Sequence, residues 1–106
     1  MLDIDRKGKI TITKGDNAAV DIRIYNKDGV EVEILPSDIL ILTVIKPAYG
    51  EVITKYNYIN SFIFEPEDTK DLEVGLYTYQ VEFQRDNEIQ TVVPTRFFEI
   101  VREYNE

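Results

Sequence analysis

Carboxylates and tyrosines are the main side chains with which this chain could do chemistry. It carries 20 Asp and Glu, 12 Lys and Arg and seven Tyr, with neither His nor Cys. Without His, the commonest general base and metal ligand is missing, and no Ser-His or Cys-His nucleophile can be assembled. Without Cys, disulfides, thiolate nucleophiles and Cys-ligated metal centres are excluded. Oxygen chemistry remains. Asp3, Asp5, Asp16 and the group Glu65, Glu67, Asp68 and Asp71 could offer oxygens to calcium, which needs roughly six to eight converging on one point. None of these stretches has the Asp-x-Asp-x-Asp-Gly spacing of a calcium loop, so they read as solvated acidic surface. A carboxylate pair could also hydrolyse a glycoside, but any two of the acids make such a pair and no spacing selects one. The expectation is a chain with no catalytic residue, no metal site and no cofactor, and so not an enzyme. Tyr49, Tyr56 and Tyr58 lie in or beside turns and could stack on sugar rings, which keeps a carbohydrate-binding or adhesive module open as an alternative. Sugar platforms more often include Trp, and there is none.

Charge and hydropathy narrow the partners. The net charge is −8, and the cations are scattered along the sequence. Nothing clusters to neutralise a run of phosphates, so nucleic acid is not an expected partner. An anionic membrane surface would repel the chain in the same way. The longest apolar run, Ile39 to Ile45, is far short of the roughly 20 residues that span a bilayer. The opening MLDIDRKGK shows no apolar signal-peptide core, so synthesis in the cytoplasm is expected.

The elements that must position any site are strands. A length of 106 residues fits one domain, residues 1–106. Alternation with period two runs through it, and no long window has helical periodicity. Ile10 and Ile12 mark a first strand, followed by a turn at Gly15-Asp16. Val20, Ile22 and Ile24 mark a second, which Asp28-Gly29 joins as a hairpin to Val30, Val32 and Ile34. Ile39 to Ile45 is apolar on both faces except for Thr43, as in a central strand. Val52 to Lys55 and Phe62 to Phe64 are short strands, the former at an edge. Pro66 opens a single helical turn. Gly75 to Gln84 alternates over its whole length, Arg85 to Glu88 makes a hairpin turn, and Ile89 to Val101 is a last strand in which Pro94 marks an edge or a bulge. Seven or eight such strands predict an all-β fold, an immunoglobulin-like antiparallel β-sandwich. The predicted core is Ile10, Ile12, Val20, Ile22, Ile24, Leu40, Leu42, Val44, Phe62, Phe64, Tyr77, Tyr79, Val81, Phe83, Phe98 and Ile100.

Two constellations on those strands stand out. Glu73, Gly75, Tyr77 and Tyr79 have the spacing of a tyrosine corner, in which a phenol near the start of a late strand bonds back to the preceding connection. The reading places the Tyr77 hydroxyl on backbone between Glu65 and Val74, with Gly75 giving entry to the strand. If Leu40, Leu42 and Val44 face the core, then Ile39, Ile41 and Ile45 point outward with Thr43. Leu76 on the tyrosine strand could extend that apolar stripe. Ile39, Ile41, Ile45 and Leu76 are therefore the candidate interface.

The order of these motifs resembles a known family. Thr13-Lys14-Gly15-Asp16, Asp28-Gly29, Pro36-Ser37-Asp38, Thr43-Val44-Ile45-Lys46, FEPEDTKDLEVGLYTYQVEF and the closing Thr95-Arg96-Phe97-Phe98-Glu99-Ile100 together resemble the immunoglobulin-like domain of siphophage baseplate upper proteins and related small phage and prophage proteins. The likeness spans nearly the whole chain. It implies a structural module in the virion tail or baseplate that docks on other tail proteins or on itself. It implies no catalytic residues. The chain lacks the helical stalk and receptor-docking part of the longer baseplate proteins, which leaves open whether it is a whole small protein or one domain of a larger one.

Overall fold

The structure is a computed structural model and describes residues 2–57 and 61–102. In chain order it contains β1 (Leu2–Ile4), β2 (Ile10–Thr13), β3 (Ala18–Asp21), β4 (Ile39–Lys46), β5 (Gly50–Tyr56), β6 (Ser61–Phe64), α1 (Pro66–Thr69), β7 (Gly75–Arg85) and β8 (Glu88–Val101). Six strands form one sheet in the order β1-β2-β8-β7-β4-β5, and β3 and β6 form a second, two-stranded sheet. The fold is all-β and sandwich-like. Val20, Phe62 and Phe64 of the small sheet are buried with the inner residues of the large one, and the Phe64 ring lies 5.8 Å from that of Phe98.

Alternation decides which residues meet in the core. Leu40, Leu42 and Val44 on β4 pair with Phe83, Val81 and Tyr79 on β7. Tyr77 pairs with Phe98, and Gly75 with Ile100. Ile10 and Ile12 then pair with Phe98 and Ile100 across β8. The observed core contains every predicted residue except Ile22 and Ile24, and adds Ile53 of β5.

The large sheet is mixed, which corrects the expectation of a purely antiparallel sandwich. β2 runs parallel to β8. The short hairpin of β1 and β2 sits at the sheet edge, and the chain then leaves for the other layer at Gly15. There the Gly15 amide donates to Oγ1 of Thr69 at 2.8 Å, and Thr69, at the end of α1, is fully buried. β1 is a strand that the sequence reading omits.

A second correction concerns the hairpin around Asp28-Gly29. The turn forms: the Gly29 amide donates to the Asn26 carbonyl, and the Asn26 side chain accepts from the amides of Asp28 and Val30. Its two arms are not full strands. β3 stops at Asp21, opposite Ser61 at the start of β6. Beyond it the arms are tied, among the described residues, by a Tyr25–Glu31 bridge, by the Asn26 amide on the Val30 carbonyl and the Val32 amide on the Ile24 carbonyl, and by an exposed Arg23–Glu31 ion pair. Ile22, Ile24 and Ile34 are half-buried and packed against the core.

Pro94 lies in a bulge. Tyr79 pairs with Arg96 and Val81 with Val93, so two steps on β7 match three on β8. Among the described residues β2 pairs only with Phe98 to Val101, so Pro94 lies outside that ladder, where its missing N–H is tolerated.

Candidate functional site

The Tyr77 corner is built from one short connection. Gly75 enters β7 at φ 151°, a backbone region that glycine adopts most readily. Tyr77 is 2% exposed, and its hydroxyl donates to the Glu73 carbonyl at 2.8 Å. The Glu73 carboxylate in turn lies 3.0 Å from Nζ of Lys46 at the end of β4. Tyr79, two residues on, does the same job over a longer reach. Its hydroxyl donates to the Gly8 carbonyl in the β1–β2 turn, 71 positions away. Burial pushes that phenol above its ordinary value. Two inward tyrosines thus pin two different connections to one strand.

A third tie holds the connection into β4. Asp38 has a side chain only 1% exposed. It accepts from Nε of Arg85 at 3.0 Å and from Nη2 at 2.7 Å, a bidentate pair, and also from the Leu35 amide. Arg85 adds a bond to the Glu33 carbonyl. The Arg85 guanidinium, and after it the Leu35 amide, hold the Asp38 carboxyl below the ordinary carboxylate value. Nε and Nη2 of Arg85 and both Asp38 oxygens are thus used within the fold.

The acidic residues considered as metal ligands are separated or occupied. The Asp5 carboxylate caps the amides of Lys7 and Lys9. Asp68 closes the first turn of α1 through the Glu65 amide and pairs with Lys55 at 2.7 Å. Among the described residues no three carboxylates converge in a way that could hold a metal ion. Tyr49 and Tyr56 flank β5 at opposite ends, about 20 Å apart along an extended strand, and form no common platform. Tyr58 lies outside the described residues.

The outer face of the large sheet is the remaining candidate, and its register can be read across the strands. Ile39 faces Gln84 and, beyond it, Ile89. Tyr56, Ile41, Glu82 and Thr91 form the next row. Thr54, Thr43 and Gln80 follow, and then Glu51, Ile45, Thr78 and Phe97. Leu76 and Glu99 close the face beside Thr11. Ile39, Ile41, Ile45 and Leu76 therefore do share one face, but they do not make a continuous stripe. Thr43, Gln80 and Glu82 divide it into two apolar regions. Ile41 and Ile45 are half-buried, whereas Leu76 is 53% exposed. The sequence reading left out Phe97, 54% exposed and one row from Leu76. Its signal was present: in the Phe97-Phe98 pair, a buried Phe98 requires the other ring to face out.

No family model matches the chain, and no curated protein or solved structure matches it.

Proposed function

We propose that the chain is an immunoglobulin-like, non-catalytic assembly module that works through protein–protein contacts made by the outer face of its large sheet. The observation that carries this is the Leu76–Phe97 region. Two large apolar side chains, each more than half exposed, stand in adjacent rows with Ile45 across Thr78 from Phe97. An outer sheet face is ordinarily left to polar side chains, and clustered exposed apolar groups mark contact sites. The order of motifs along the chain supports the setting: a phage or prophage tail baseplate, where such a domain docks on tail proteins or on its own copies.

The test is to co-express the chain with the tail proteins encoded beside its gene and measure the mass of the purified species by light scattering. A stable complex is expected. Leu76→Lys should weaken it while leaving folding stability within about 0.5 kcal/mol, the usual range for a surface change. A chain that stays monomeric and separate from those proteins at all concentrations would overturn the reading.

A further inference from the structure

The outer face ends in a concave region that differs from the rest of this acidic protein. An open cleft of about 640 Å³ is lined by Asp5, Lys7, Lys9, Thr78, Thr95, Arg96 and Phe97. Three cations therefore gather around one exposed aromatic ring and two hydroxyls, against Asp5 in the lining and Glu99 beside it, in a chain whose net charge is −8. They come from opposite ends of the sequence and meet because β2 lies parallel to β8.

The cations differ in how far they are already engaged. Lys9 is paired with Glu99 at 2.8 Å. Arg96 uses its guanidinium only on the neighbouring Thr95 carbonyl, and among the described residues neither Arg96 nor Lys7 has a carboxylate partner. Asp5 is bound to the backbone of its own turn. The turn carrying Lys7 is also held in place. Gly8, at φ 82°, gives its carbonyl to buried Tyr79, and a Cβ at Gly8 would lie 3.3 Å from Cγ of Arg96. The Arg96 stem thus passes close over the turn, whose backbone is held from Asp5 and Tyr79.

We propose that this cleft receives an acidic segment of a protein partner, with carboxylates on Lys7 and Arg96 and an apolar side chain on Phe97. Charge complementarity points to that chemistry: in a chain of net charge −8, a carboxylate entering here meets Lys7 and Arg96, which have no carboxylate partner among the described residues. Arg96 offers a planar fork suited to a carboxylate. Phe97 supplies apolar area that a bare anion cannot use. The inference deepens the assembly reading by naming the partner's chemistry, and it rests on that reading.

The experiment is a titration of the isotope-labelled chain, followed by amide chemical shifts. The probe is a blocked five-residue peptide with a central phenylalanine flanked by glutamates. Shifts are expected at Lys7, Lys9, Thr78, Thr95, Arg96 and Phe97. Binding should weaken about ten-fold or more in Lys7→Glu and again on raising the salt concentration. Lys7 is exposed and its side chain bonds to nothing among the described residues, so that variant should fold, and its own spectrum verifies this. Three outcomes overturn the proposal: no shifts at the cleft, equal shifts with glutamine replacing the glutamates, or equal affinity for inorganic phosphate, which would reduce the cleft to a simple anion site. The assembly reading fails separately, if Leu76→Lys, outside the cleft, leaves the complex with tail proteins unchanged or if no such complex forms.

Discussion

At the scale of single residues, the polar side chains that reach inward act as ties between elements distant in sequence. Tyr77 holds the connection that enters β7, and Tyr79 holds the β1–β2 turn. Removing one such hydroxyl deletes a neutral hydrogen bond and leaves a carbonyl to be solvated. Tyr77→Phe should therefore cost about 0.5–1.5 kcal/mol, read as a lower denaturant midpoint with an unchanged slope. An unshifted midpoint would mean that the corner contributes nothing. Asp38 has a pH signature. Its carboxyl is held low in the fold by Arg85 first and the Leu35 amide second. A depressed folded value contributes stability that is fully present above the unfolded value, near about 4, and is lost as pH falls through the folded value. Thermal unfolding measured from about pH 5 to about pH 2 should fall more steeply for the parent than for Asp38→Asn. Parallel curves would show that the Asp38–Arg85 pair adds nothing to folding.

At the scale of elements, the sequence was legible wherever burial is one-sided and a partner strand is present along the whole length. β7 and the end of β8 alternate cleanly, and alternation alone identifies their core residues, whereas β4 is apolar on both faces and buries Thr43 beside Leu42 and Val44. The same rule failed at Ile22 and Ile24, because alternation reports only that one face prefers to be apolar. It does not say how deeply that face is covered, and Ile22 and Ile24 pack against the core while staying only partly buried. β1 went unread because three residues, Leu2 to Ile4, are too few to show a period. The parallel pairing of β2 with β8 is invisible locally, since it joins the two ends of the described chain. That is also why the Lys7, Lys9 and Arg96 cleft could not be found from spacing: the cations looked scattered because the sequence separates what the sheet brings together. β5 shows how an edge is protected. Its register shifts near Ile45, and Lys55, opposite the core residue Leu42, turns its charge to Asp68. A bulge and an inward charge both discourage another strand from adding there.

At the scale of the whole molecule, the two layers are unequal, and stability should follow that inequality. The large sheet has six strands, with β7 and β8 running 11 and 14 residues. Among the described residues the small sheet has two strands of four residues each, which cover only part of the larger inner face. Toward the β7–β8 turn, Phe83, Val92 and Val93 meet the loosely tied arm around Ile22, Ile24 and Val32, and a cleft of about 680 Å³ remains between them. Local opening is cheapest where buried apolar contacts are few and backbone bonds face solvent. Amide hydrogen exchange should therefore be slowest at Leu40 to Val44, Tyr77 to Val81 and Phe98 to Ile100. There each strand lies between two neighbours and the inward side chains are almost fully buried. It should be fastest from Ile22 to Ile34, and from Asp86 to Val93, where β8 has a ladder on one side only among the described residues. The arm should open without the rest, so its exchange should respond little to low denaturant while the central strands follow global unfolding. Uniform protection across arm and sheet would show instead that the arm folds as part of the core, and that the half-buried isoleucines at its base hold it there.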